Sequence, residues 1–172
     1  MYWTRRVQQL LRIWIEQEVP NVRMFFDEGS IEIGDRWPDT LKEALRVSKC
    51  MVCVWSPPYF QSSWCVSEWQ SFLARERRLN LQSHGLVAPL RFHDGEHFPE
   101  EAQAVQWTDV EPFAYTLPAF WESRRVVRLE ARMKEFAKGV ARMIRDAPQF
   151  EADWPVIDAR GHMPPKIGLS RL

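Results

Sequence analysis

Cysteine is scarce: three residues in a chain of 172. An odd, low count gives no disulfide framework and fits a reducing, cytoplasmic setting. A basic excess is also missing. Lys plus Arg and Asp plus Glu number 23 each, so the chain lacks the positive surface a dedicated nucleic-acid binder needs. No apolar run approaches the ~20 residues of a membrane span. Arg5 and Arg6 lead into a polar-interleaved segment rather than a signal-peptide pattern. There is no G-x-G-x-x-G and no Walker lysine motif, so a dinucleotide, if bound, is not held in the Rossmann manner. No internal repeat is found. Tryptophan, by contrast, is plentiful, with nine residues. Most should fill a core, and a pocket for flat rings would use some.

Periodicity orders the elements. Trp3, Val7, Leu10, Leu11, Trp14 and Ile15 give residues 2–18 a helical stripe, ended by Pro20 and Asn21. Short, apolar "VRMFF" (22–26) reads as a buried strand before a turn. Pro38 suits the first turn of a helix whose face is Leu41, Ala44 and Leu45. "CMVCVW" (50–55) is the clearest buried strand, stopped by "SPP". Ser62 or Ser63 can N-cap a helix over about 64–78. Residues 85–92 predict another strand, 93–103 a loop with room for one helical turn, and 104–110 a weaker strand. Residues 124–146 carry the strongest helical stripe. From 148 to 172 the chain holds Pro148, Pro155, Pro164 and Pro165 without periodicity, as a tail or linker would. Alternation of helices with continuous apolar strands predicts an α/β domain over 1–147, a parallel sheet covered on both faces.

Several constellations have plain structural explanations. Cys50 and Cys53 have C-x-x-C spacing, but in a strand rather than at a helix N-terminus, so they point to opposite faces and pack as core thiols. His93 and His97 flank Asp94 and Gly95, which make a turn, and a zinc site would need more ligands. The Arg and Lys residues of 124–145 are diluted by Glu122, Glu130, Glu135 and Asp146 and read as a solvated helix face.

"SPPYFQSSWCVSEW" (56–69) is different. Ser56 lies at the carboxyl end of a strand, where parallel α/β sheets build their ligand crevice. Tyr59, Ser62, Ser63, Trp64 and Glu68 follow towards the same region. Trp64 and Glu68 are four apart and share a helix face. A carboxylate partly desolvated by indoles would respond strongly to developing positive charge. A salt bridge or a cap on an amphipathic helix would explain Glu68 equally well from spacing alone.

Residues 25–69, "FFDEGSIEIGDRWPDTLKEALRVSKCMVCVWSPPYFQSSWCVSEW", resemble the TIR (Toll/interleukin-1 receptor) domain family, bacterial type. A "D-E-x-x-I-x-x-G" loop followed at this distance by "S-P-x-Y-F-x-S-x-W-C-x-x-E" carries the likeness. The resemblance implies a flavodoxin-like fold with five parallel strands in the order 2-1-3-4-5. It also implies two possible roles. One is a non-catalytic adaptor that assembles with like domains through the 27–36 loop. The other is an enzyme of bacterial immunity that cleaves NAD⁺ at the nicotinamide–ribose bond as substrate, with no further cofactor. Glu68 aligns with the catalytic glutamate of the W-x-x-x-E helix, and Trp64 with its tryptophan. Trp64, Ser56, Tyr59 and Asp27 are the residues expected to bind NAD⁺, and no metal is expected. Retention of both Trp64 and Glu68 favours the enzyme. Partners implied are homo-oligomers, or another TIR or sensor protein, rather than nucleic acid or membrane. The family also opens with a strand that this chain lacks before its first helix. We expect about four strands, with 22–26 poorly paired or sliding against 50–55, and Met1 as a misassigned start or a truncation.

Overall fold

A computed structural model describes residues 2–26, 39–81 and 85–158. The elements in order are α1 (Tyr2–Glu18), α2 (Asp39–Val47), β1 (Met51–Trp55), α3 (Pro57–Gln61), α4 (Ser63–Arg78), β2 (Val87–Arg91), α5 (Glu100–Gln103), β3 (Thr108–Asp109) and α6 (Arg125–Asp146). Two short 3-10 turns, Glu111–Phe113 and Pro118–Glu122, join β3 to α6. Among the described residues no helix is long and apolar enough to cross a membrane.

Among the described residues the sheet has three parallel strands in the order β1-β2-β3, with Met51 opposite Val87 and Leu90 opposite Thr108. These are the strands expected over 50–55, 85–92 and 104–110, in the expected relative order. Residues 22–26, expected as a fourth strand poorly paired or sliding against 50–55, make no strand pairing. Val22, Met24 and Phe26 are half-buried and alternate with exposed Arg23 and Phe25, so the segment keeps the period-2 contact of an extended chain without a ladder. Its apolar side rests on the core, and β1 gives its hydrogen bonds to β2 alone among the described strands.

Successive strand residues face opposite layers. Val52, Val54, Ala88 and Leu90 point to the layer of α1 and α6, where Trp3, Val7, Leu11 and Ile15 meet Leu129, Met133, Phe136 and Val140. Met51, Cys53, Trp55 and Val87 point to the other layer, with α2, α3 and α4. Cys50 packs on the first layer and Cys53 on the second, so the C-x-x-C pair is split across the sheet. Burial raises the Cys50 thiol to about 11 and pushes that of Cys53 higher still.

Pro89 sits inside the middle strand, where a missing N–H is normally costly. Phe92 donates to Trp55 on the β1 side, and Arg91 accepts from Val110 on the β3 side. Pro89, in step with Arg91, therefore turns its nitrogen towards β3, one register position before β3 begins. No ladder bond is lost.

Candidate functional site

The segment after β1 is built by two capped turns. Ser56 leaves the strand in extended geometry, and Pro57 and Pro58 occupy the first positions of α3. Proline is tolerated there because those N–H groups have no helical partner. By pattern "SPP" is a strand stop; it also starts a helix. Ser62 then ends α3 and caps α4, its hydroxyl accepting from Cys65 N at 3.3 Å. This back-to-back arrangement fixes where α4 starts, and with it the directions of Trp64 and Glu68.

Trp64 is half-buried against the aromatic layer around Trp55, Phe60 and Trp69. Those three rings contact one another edge-on or tilted, with centroids 5.5–5.7 Å apart, which favours a rigid wall. Glu68 is half-buried one turn further on. Tyr59 leans from α3 onto Phe60, with centroids 5.2 Å apart. Its hydroxyl is buried beside the Cys53 thiol without a well-formed hydrogen bond. Burial is the main reason that both the phenol and the thiol stay protonated, and the nearby Glu68 carboxylate adds to it. Glu68 thus sits within electrostatic reach of Tyr59 and Cys53. Ser56 lies at the neighbouring strand end. Asp27, expected at the same site, lies outside the described residues, as does the 27–36 loop.

Arg91, which the sequence reading did not single out, organises the rest of the strand-end edge. It pairs with Asp109 at 2.7 Å, joining β2 to β3. It also donates to the carbonyls of His93 and Asp94 at 3.1 and 2.6 Å. His93 in turn contacts Asp94 at 2.8 Å. Among the described residues no group of three or more His, Cys, Asp or Glu side chains is placed to hold a metal ion. A hollow lined by Leu81, Gly85, Leu86, Met143 and Asp146 opens at the other end of the sheet, before β2, away from Glu68.

The arrangement puts a half-buried carboxylate beside neutral polar groups and indoles at the carboxyl end of a parallel sheet. Parallel sheets build their ligand crevices at that end, and a partly desolvated carboxylate interacts strongly with positive charge. No curated protein and no solved structure matches the sequence. The family model for the TIR domain matches residues 5–119, from α1 through β3 and past the Trp64–Glu68 helix. The chain therefore belongs to the TIR domain family.

Proposed function

We propose that this protein is an NAD⁺ glycohydrolase or cyclase that breaks the nicotinamide–ribose bond, with Glu68 as the catalytic residue. The observation that carries the reading is Glu68 itself, half-buried four residues after Trp64 at the carboxyl end of the sheet. An adaptor has no chemical use for that pair. The nicotinamide of NAD⁺ is cationic and departs neutral, so no general acid is needed. The barrier lies in the oxocarbenium-like ribose left behind, the same kind of charge met in glycoside hydrolysis. A carboxylate beside the ribose stabilises that charge and accepts its hydroxyl protons as hydrogen bonds. Trp64 offers a ring to stack on the nicotinamide. Ser56, Tyr59 and Asp27 are the proposed further contacts to NAD⁺. The setting we propose is cytoplasmic antiphage defence signalling.

The test is incubation of the protein with NAD⁺ and measurement of free nicotinamide. Glu68→Gln keeps the shape and removes the charge, and should lower the rate by ~10²–10³. Nicotinamide release that is unchanged in Glu68→Gln sinks the assignment. Absence of release from the unaltered protein favours the family's other role, assembly as an adaptor.

We further propose that the 27–36 loop contacts a second copy. Ile31 and Ile33 with Gly29 and Gly34 suit a contact loop among charged neighbours. Specific activity should then rise with enzyme concentration, and Ile33→Asp should flatten that rise. A specific activity constant from nanomolar to high micromolar protein rejects the idea.

A further inference from the structure

Residues 150–158 do not trail away from α6. They return across α4 and reach α2. Arg78 on α4 holds Glu151 at 2.7 Å and Asp153 at 3.0 Å. Ile157 N donates to Ser71 Oγ at 2.8 Å. Asp158 approaches Lys42 of α2 at 4.0 Å. Between these anchors Trp154 is buried, with its ring centred 4.0 Å from the guanidinium of Arg75.

Arg75 is the joint. It is fully buried, with Phe72 as a second ring 4.5 Å away. Its Nη1 donates to Ser48 O at 2.7 Å and its Nη2 to Leu45 O at 3.0 Å. Those carbonyls end α2, where the helix dipole is negative. Among the described residues no carboxylate pairs with Arg75, and burial lowers its pKa to about 10. A buried cation without a counter-charge is costly unless its surroundings supply the missing interactions. Here they are two carbonyls and two ring faces, and Trp154 supplies one face from the returning segment. Letting water reach the guanidinium would offset part of what undocking loses. The undocked state is closer in free energy than the extent of the contact suggests.

We propose that residues 150–158 form a releasable clamp on α2, with Trp154 keeping Arg75 dehydrated and bonded to Leu45 and Ser48 when docked. On release Arg75 turns to water, and the last turn of α2 loosens from α4. The effect reaches the functional site, because Leu41 and Leu45 of α2 pack in the same layer as Trp55, Trp69 and Trp64. The clamp stands whether or not the protein cleaves NAD⁺.

Hydrogen exchange read by mass spectrometry on the full chain tests it, with two variants. Trp154→Ala removes the anchor. Arg78→Glu repels Glu151 and Asp153 at a partly exposed position and leaves the core untouched. Both should speed exchange of the α2 amides at 44–48 by about tenfold or more, together with 150–158. Exchange in β2 and in residues 129–140 of α6 should keep its rate. Two outcomes overturn the proposal. In one, 150–158 exchanges faster while 44–48 keeps its rate. In the other, every element speeds up together, which makes the segment an ordinary part of the core.

Discussion

Glu68 and Trp64 were readable as a pair because the site chemistry and the helix period coincide: a charge and a ring four residues apart. Arg75 was not readable. It lies two turns along the same helix, in "ARERR", where every cue of composition suggests solvent. What buries it is Trp154, 79 positions later in the chain, together with two carbonyls of α2. No local pattern encodes that meeting. Tyr59 falls between the two cases: its position just after β1 was legible, but the buried state of its hydroxyl depends on how α3 lies on β1. The cysteines allow a direct test at this scale. Thiol reagents attack the thiolate. With Cys50 raised to about 11, only about one in a thousand of its thiols is ionised at pH 8. Cys53 is buried and raised further. Neither should be alkylated appreciably in the native protein at pH 8. Labelling of Cys50 should rise about tenfold per pH unit until near its pKa, as long as the fold persists. Peptide mapping after brief iodoacetamide treatment measures this. Rapid labelling of Cys50 and Cys53 at pH 8, or their joint oxidation under mild conditions, contradicts the assignment of the pair as split core thiols.

At the level of elements, α1 and α6 follow from apolar stripes, α4 from the N-cap offered by Ser62 or Ser63, and β1 and β2 from continuous apolar runs, with ends shifted by only a residue or two. One expectation held only in part, and one element had no counterpart in the sequence pattern, for different reasons. Residues 22–26 have the composition of a strand, but a strand is defined by its neighbour, and among the described residues none pairs with it. The α3 turn is hidden because two prolines read as the end of a strand, when proline equally suits a helix start. The weak strand expected over 104–110 shrinks to Thr108–Asp109, anchored by Arg91. The α3–α4 junction makes the most informative target. Ser62 closes one helix with its backbone N–H, which reaches Pro58 O and Tyr59 O, and opens the next with its side chain. Ser62→Ala keeps the first role and removes the second. It should cost ~1 kcal/mol, the usual value of an N-cap hydroxyl. It should also fray the turn that carries Trp64 and Cys65, so exchange at 63–66 should quicken more than at 70–78. Chemical denaturation with unchanged slope gives the first quantity, and hydrogen exchange the second. A variant as stable as the parent, with unaltered exchange, means the 3.3 Å contact does not cap the helix.

For the whole molecule, the matched family region and the folded core do not coincide. The TIR match covers residues 5–119, which include Glu68 and all three described strands. Yet the layer that covers one face of the sheet is completed by α6, from Arg125 to Asp146. Leu129, Met133, Phe136 and Val140 lie against Trp3, Val7, Leu11 and Ile15 of α1, while Trp3 Nε1 donates to Phe113 O at 2.8 Å. Each large apolar side chain taken from water contributes roughly 1.5–3 kcal/mol. The four α6 residues alone therefore supply on the order of 6–12 kcal/mol, and exposing their partners on α1 adds to the loss. That is comparable to the ~5–15 kcal/mol total stability of a typical domain. A fragment of residues 1–119 should therefore fail to fold cooperatively, although it contains the family motif and the proposed catalytic glutamate. A fragment of residues 1–158 should melt as a single unit. Circular dichroism through a thermal ramp, with amide dispersion by NMR, separates the two. A sharp transition and dispersed amides for residues 1–119 mean that α1 finds its cover elsewhere, and that α6 is an accessory rather than a wall of the core.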